Sequence, residues 1–221
     1  DPRVDDELIR DQELALSLCG YLETVCDGEG LVPPLLDSAR NSPHAPHWSG
    51  PAAPGLNPTA GICGLLHYQG VSHPWLSRAT DACCARALSS PPSEAHVLLG
   101  IARLADHLPD RAVARQLAEA VIAALPGASF FIPQAPVRAY GLTPLHYAPT
   151  ADSPWRQVFS AEQLSGHLDD LLGRQQADAV GDPLLVRPAR AVVDHQLAQQ
   201  AMLDQAQALA VVQAPVFINP F

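Results

Sequence analysis

The sequence predicts an all-α chain of about seven helices, on three observations. Ala and Leu dominate a hydrophobic fraction of 48%, and both favour helices. Apolar residues recur at three-four spacing in one segment after another. The 22 prolines cluster between those segments, as breakers do.

Asp5–Cys26 reads as the first helix, with Leu8, Ala15, Leu18, Leu22 and Val25 on one face. Asp5, Asp6 and Glu7 fall in its first turn, where the helix dipole favours anions. Asp27-Gly28-Glu29-Gly30 stops it. Residues 41–58 form a loop with five prolines that holds His44, His47 and Trp48. Asn57 or Thr59 is the expected cap of a second helix running to about Gln69, with Ile62, Leu65 and Leu66 as its apolar face. Its Ala60, Gly61 and Gly64 leave room for a neighbouring helix to approach closely. Pro74 opens the third helix at N1, with Leu76, Ala79, Cys83 and Ala87 inward. Ser93 is the expected cap of the fourth, where Val97, Ile101, Leu104 and Leu108 make a stripe. Arg111–Leu125 is the fifth, with Val113, Leu117, Val121 and Leu125 at i+4 steps.

Residues 126–159 carry six prolines and half of the Phe, Trp and Tyr residues. So long a loop is functional or disordered, and its aromatic content argues against disorder. It reads as a lid, or as one wall of an apolar pocket. Ser160 caps the sixth helix with Gln163 at N3, and Leu164, Leu168, Leu171 and Leu172 are expected inward. A last helix, from Ala191 to about Gln213, has a weak stripe. Short helix pairs of this kind suggest an α/α toroid, a partial α/α barrel or a helical bundle. At 221 residues the chain reads as a single domain.

The formal net charge is −10, and all thirteen basic residues are Arg. An acidic chain without a basic stripe is a poor partner for nucleic acid or for anionic membranes. Without Lys, no Schiff base forms on this chain. No apolar run approaches the roughly 18 residues of a membrane span. Five Cys in a chain of this size do not make a disulfide scaffold. They read as buried reduced thiols, which points to a cytoplasmic protein. A G-x-S-x-G elbow, an H-E-x-x-H motif, a Walker loop and a dinucleotide fingerprint are all absent.

Polar and aromatic residues at helix ends are the remaining candidates. Glu94 and His96 open the fourth helix and offer acid–base groups, while Asn57, His67 and Tyr68 belong to the second and would ring a cavity mouth. Trp48, Trp75, Tyr140, His146, Tyr147 and Trp155 are candidate walls for an apolar substrate. His44-x-x-His47 has spacing that a metal uses, but zinc needs three or four ligands and no third stands at a telling distance, so no metal site is assigned. The bland reading of each is a cap or a satisfied internal hydrogen bond.

Two stretches carry a family resemblance. Arg174-Gln175-Gln176-Ala177-Asp178 looks like the front half of a Gln-x-x-Asp-Gly-x-Trp motif, and Cys26-Asp27-Gly28-Glu29-Gly30 keeps the Asp-Gly of a second copy. With the helix rhythm, the chain resembles the prenyltransferase and squalene-cyclase-like α/α toroid proteins. The resemblance implies an apolar central cavity and chemistry on an isoprenoid-type substrate; it leaves the cofactor open and admits Mg²⁺ if that substrate is a diphosphate. It also implies an acid. His167-Leu168-Asp169-Asp170 matches the cyclase Asp-x-Asp-Asp pattern with His in place of the first Asp, which makes His167, Asp169 and Asp170 catalytic candidates. The function expected is thus a terpenoid cyclase- or prenyltransferase-like enzyme. The alternative is a non-catalytic helical scaffold or small-molecule binder of the same fold, with an oligomer open to either.

Overall fold

In the computed structural model, residues 12–43 and 52–180 are described. The start of the first expected helix, the His44/His47/Trp48 loop and the helix expected at 191–213 lie outside them. The α-helices are α1 (Gln12–Val25), α2 (Leu56–Tyr68), α3 (Pro74–Ser89), α4 (Ala95–His107), α5 (Arg111–Ala124), the single-turn α6 (Pro144–Tyr147) and α7 (Ala161–Val180). Short 3₁₀ segments lie at Asp37–Asn41, Leu125–Gly127 and Pro154–Val158. Among the described residues, β pairing is limited to two isolated bridges, Glu94 with Ser129 and Phe131 with Leu142. The protein is all-α in its described part.

Two compact units divide the chain. One takes in the described residues up to Pro133 together with Gly141–Ala161; the other holds Gln134–Tyr140 and the helix from Glu162 onward.

In the first unit, α2 packs on α3, α3 on α5, α5 on α4, and α4 back on α2, with α1 laid against α3. Leu76, Leu98, Ile101, Leu104, Leu117 and Val121 fill the interior at 2% exposure or less. The closest approach joins α2 to α4. A Cβ built on Gly64 would stand 2.7 Å from the Arg103 carbonyl carbon and oxygen, and one on Gly61 would stand 3.7 Å from Gly100 Cα. The two backbones touch because neither side chain intervenes.

That contact also turns α2. Ala60, Cys63, Gly64 and Leu66 are buried, whereas Leu65, expected inward, is 52% exposed. Asn57 is exposed and non-helical in backbone, and no side chain caps this helix. Thr59 ties it down instead: its Oγ1 accepts from Val32 N–H at 2.9 Å and donates to Gly55 O at 2.7 Å. Trp75, wholly buried, donates Nε1–H to Gly30 O at 3.0 Å and fastens the turn after α1.

The other caps follow from local chemistry. His73 Nδ1 accepts from Trp75 N–H ahead of Pro74 at N1. Asp110 accepts from Ala112 and Val113 N–H. Glu94, one residue beyond the expected Ser93, caps α4. The α4 stripe shifts accordingly: Leu98, Ile101 and Leu104 are buried, and Val97 is only half-buried.

The 126–159 segment is ordered structure. Phe131, Tyr147, Trp155 and Phe159 form a cluster with centroids 6.0 to 6.4 Å apart. Tyr147 Oη–H donates to Ala95 O at 2.7 Å and pins the cluster to the start of α4.

In the second unit, α7 presents Leu164 and His167 as buried residues. Leu168, Leu171 and Leu172, expected inward, are 41%, 49% and 54% exposed. The hydrophobic stripe is real in sequence, but this helix buries only part of it.

Candidate functional site

A cleft of about 290 Å³ opens in the first unit between α4 and residues 146–155. Helix α4 contributes Leu99, Ala102, Arg103 and Asp106, which spacing of three and four places on one face. The facing wall is Pro149, Pro154 and Trp155, with His146 and Tyr147 at its start. Prolines hold this wall in shape without a helix of its own.

Asp106 is the electrostatic centre. Its Oδ1 accepts from Trp155 Nε1–H at 2.8 Å. Burial raises the Asp106 carboxyl above its ordinary range, and the Trp155 hydrogen bond, His107 and Arg111 pull the other way. Arg111 directs its guanidinium to backbone, donating to Asp106 O at 3.2 Å and Leu108 O at 3.4 Å. Arg103 has no ion pair and no side-chain hydrogen bond among the described residues. The residue keeps solvent exposure, and partial burial of its guanidinium lowers its pKa from the ordinary value.

His146 is committed locally. Its Nδ1 accepts from Thr143 N–H at 2.9 Å, closing the single turn of α6. Tyr147 lies under the wall, and burial raises its phenol pKa. Of the nine wall and rim residues expected from sequence, the cleft brings together His146, Tyr147 and Trp155. Trp75 is in the core. Tyr140 is 41% exposed. His67 Nε2 meets Thr80 Oγ1 at 2.9 Å, and Tyr68 stacks with His107 at 4.8 Å. Asn57 lines a wider, open depression of about 490 Å³ with Gly55, Leu56 and Arg86. Its cation is already paired, Arg86 to Glu29 at 2.8 Å. Trp48 lies outside the described residues.

The five acid–base candidates are divided between the units: Glu94 and His96 belong to the first, His167, Asp169 and Asp170 to the second. Glu94 and His96 meet through Oε1 and Nδ1, but the same carboxylate accepts from His96 N–H and Val97 N–H as the helix cap. Burial alone would raise the Glu94 carboxyl; the hydrogen bonds and charge of His96 bring it below its ordinary range. In the second unit, Asp170 Oδ2 accepts from Arg174 at 2.7 Å and from Val137 N–H at 3.1 Å. Asp169 is exposed. His167 is buried, and its Nε2 has no hydrogen-bond partner among the described residues. A magnesium ion at Asp169 and Asp170 would have to displace Arg174, and no group of three His, Cys, Asp or Glu side chains stands ready for a metal among the described residues. These residues do not fit a divalent-cation site.

Arg103 and Asp106 were absent from the candidates read off the sequence. Their signal was there, as two opposite charges at i and i+3 in a helix that is otherwise apolar between His96 and His107. Nothing in the sequence said which loop faces them.

No helix among the described residues is long and apolar enough to cross a membrane. No protein-family model, curated protein or solved structure matches the chain.

Proposed function

We propose that the chain is a non-catalytic helical binding module that takes a small molecule in the cleft between α4 and residues 146–155. The observation that carries this reading is the state of the polar groups. Arg103 and Asp106 both line the cleft, and neither the guanidinium nor Asp106 Oδ2 has a protein hydrogen bond or ion pair among the described residues, beside a wall that includes Pro149, Pro154 and Trp155. A mostly apolar concavity with a few convergent polar groups is the usual form of a ligand site.

Two of the acids named for an isoprenoid cyclase are engaged in holding the fold. Glu94 caps α4, and Asp170 is bound by Arg174 and the Val137 amide. A proton donor to an alkene must face the substrate in its protonated form, and neither group has that setting. A binding role needs no toroid, since a filled bundle with a lateral cleft serves it as well.

Thermal denaturation of the full chain separates the two functions. The ligands are a small-metabolite library together with geranyl and farnesyl diphosphates, with and without Mg²⁺. Binding predicts a rise in Tm with at least one small molecule, lost in Arg103→Gln, and no hydrocarbon product from either diphosphate. Formation of a cyclised product, abolished by Asp169→Asn or Asp170→Asn, would replace this reading with the isoprenoid one.

A further inference from the structure

The charges in the cleft lining narrow the class of molecule that fits it. Arg103 and Asp106 stand one helical turn apart on the same face of α4, where neighbouring Cβ atoms are about 5–6 Å apart. No hydrogen bond or ion pair joins them to each other. Neither side chain is in an ion pair among the described residues, although His107 and Arg111 act on Asp106 through space, and the two open positions call for charges of opposite sign.

A purely anionic ligand would satisfy Arg103 but would meet the carboxylates of Asp106 and Asp152, both in the lining. A purely cationic one would satisfy Asp106 and be repelled by Arg103. A molecule with one charge of each sign, a few ångströms apart, satisfies both. The rest of the lining is mixed: Leu99, Ala102, Pro149 and Pro154 give it an apolar side, beside the polar Thr150 and Ser153. The cleft of about 290 Å³ admits a body of amino-acid size.

We propose that the cleft binds a free α-amino acid with an apolar side chain, an assignment that rests on the binding function proposed for the chain. The ligand's carboxylate pairs with the Arg103 guanidinium, its ammonium with the free oxygen of Asp106, and its side chain lies between Leu99 and the two prolines. Trp155, by holding Oδ1, leaves Oδ2 as the acceptor for the ammonium. Arg suits the carboxylate end, because its planar fork donates two parallel hydrogen bonds.

Isothermal titration of the full chain with L-phenylalanine, L-leucine, N-acetyl-L-phenylalanine and L-phenylalaninamide tests this. The free amino acids bind, and each blocked analogue binds about ten-fold more weakly or worse, the loss expected for one charged hydrogen bond. Arg103→Gln erases the difference between phenylalanine and its amide. Asp106→Asn, whose side-chain carbonyl still accepts from Trp155, erases the difference between phenylalanine and its N-acetyl form; near-UV circular dichroism checks that the fold is kept. Equal binding of blocked and free forms by the unmodified protein overturns the assignment, as does failure of both amino acids to bind. If the amino acids fail while another small molecule raises Tm in an Arg103-dependent way, the zwitterion assignment falls and the binding module stands. If no small molecule does so, both fall.

Discussion

The indole of Trp155 and the carboxylate of Asp106 are 49 residues apart in sequence and 2.8 Å apart in space. The bond joins the proline-walled segment to the last turn of α4. It also sets which oxygen of Asp106 remains open to the cleft.

Trp155→Phe keeps most of the apolar bulk and removes the donor. The expected loss is about 1–2 kcal/mol, the range for a hydrogen bond to a charged acceptor that water can partly replace. Urea denaturation measures it. An unchanged midpoint would mean that the bond contributes nothing net.

Burial holds the Asp106 carboxyl above its ordinary value of 3.8. The folded state therefore binds this proton more tightly than the unfolded chain does. The contribution to stability is fully present below the unfolded pKa and is lost as pH rises through the folded one. Asp106→Asn should flatten that part of the stability–pH curve, followed by thermal denaturation from acid to neutral pH. A curve with the same slope in both proteins would show that another group is responsible.

Glu94 titrates in the opposite sense. Its folded pKa lies below the ordinary value of 4.5, so its stabilisation is present above 4.5 and disappears as pH falls through the folded pKa. Glu94→Ala should cost about 1 kcal/mol at neutral pH, as loss of a helix cap does, and little in strong acid. Equal cost at both pH values would point to lost packing instead.

Gly64 and Gly61 make a matched pair. Alanine at 64 drives a methyl into the Arg103 carbonyl at 2.7 Å, whereas at 61 it meets Gly100 Cα at an ordinary 3.7 Å. Gly64→Ala should cost about 1–3 kcal/mol through overpacking. Gly61→Ala should be neutral or stabilising by up to about 1 kcal/mol, from helix propensity. Chemical denaturation of both decides. Tolerance of alanine at 64 would show that α2 and α4 separate easily.

Thiol reactivity gives an independent check on the core. Burial pushes Cys19 and Cys84 up to about 11. Cys83 is raised as well, by its hydrogen bond to Cys63 and by burial. Among the described cysteines, half-buried Cys26, at the end of α1, should be alkylated first in the native protein, followed by mass spectrometry. Early modification of Cys63 or Cys83 would mean that the α2–α3 packing opens readily.

Helix positions were legible because apolar spacing and proline breaks are local signals, and α3, α4 and α5 lie close to where those signals place them. The faces were less legible. Leu65 looks as inward as Leu66 in sequence, but the glycine contact with α4 rotates α2 and leaves Leu65 outside. Leu168, Leu171 and Leu172 make a stripe that the described part of the second unit leaves exposed. Glu94, rather than Ser93, is the cap because its longer side chain reaches both His96 and Val97 N–H.

What the sequence determined by itself is the all-α character and the breaks between helices, since each depends on residues near one another in the chain. What only the tertiary structure decided is the site. Arg103 and Asp106 come to line one cleft with residues 146–155, where Trp155 arrives from 49 residues away to bond one carboxylate oxygen of Asp106. Such long-range juxtaposition leaves no trace in periodicity or spacing, because each partner's residue type is common on its own.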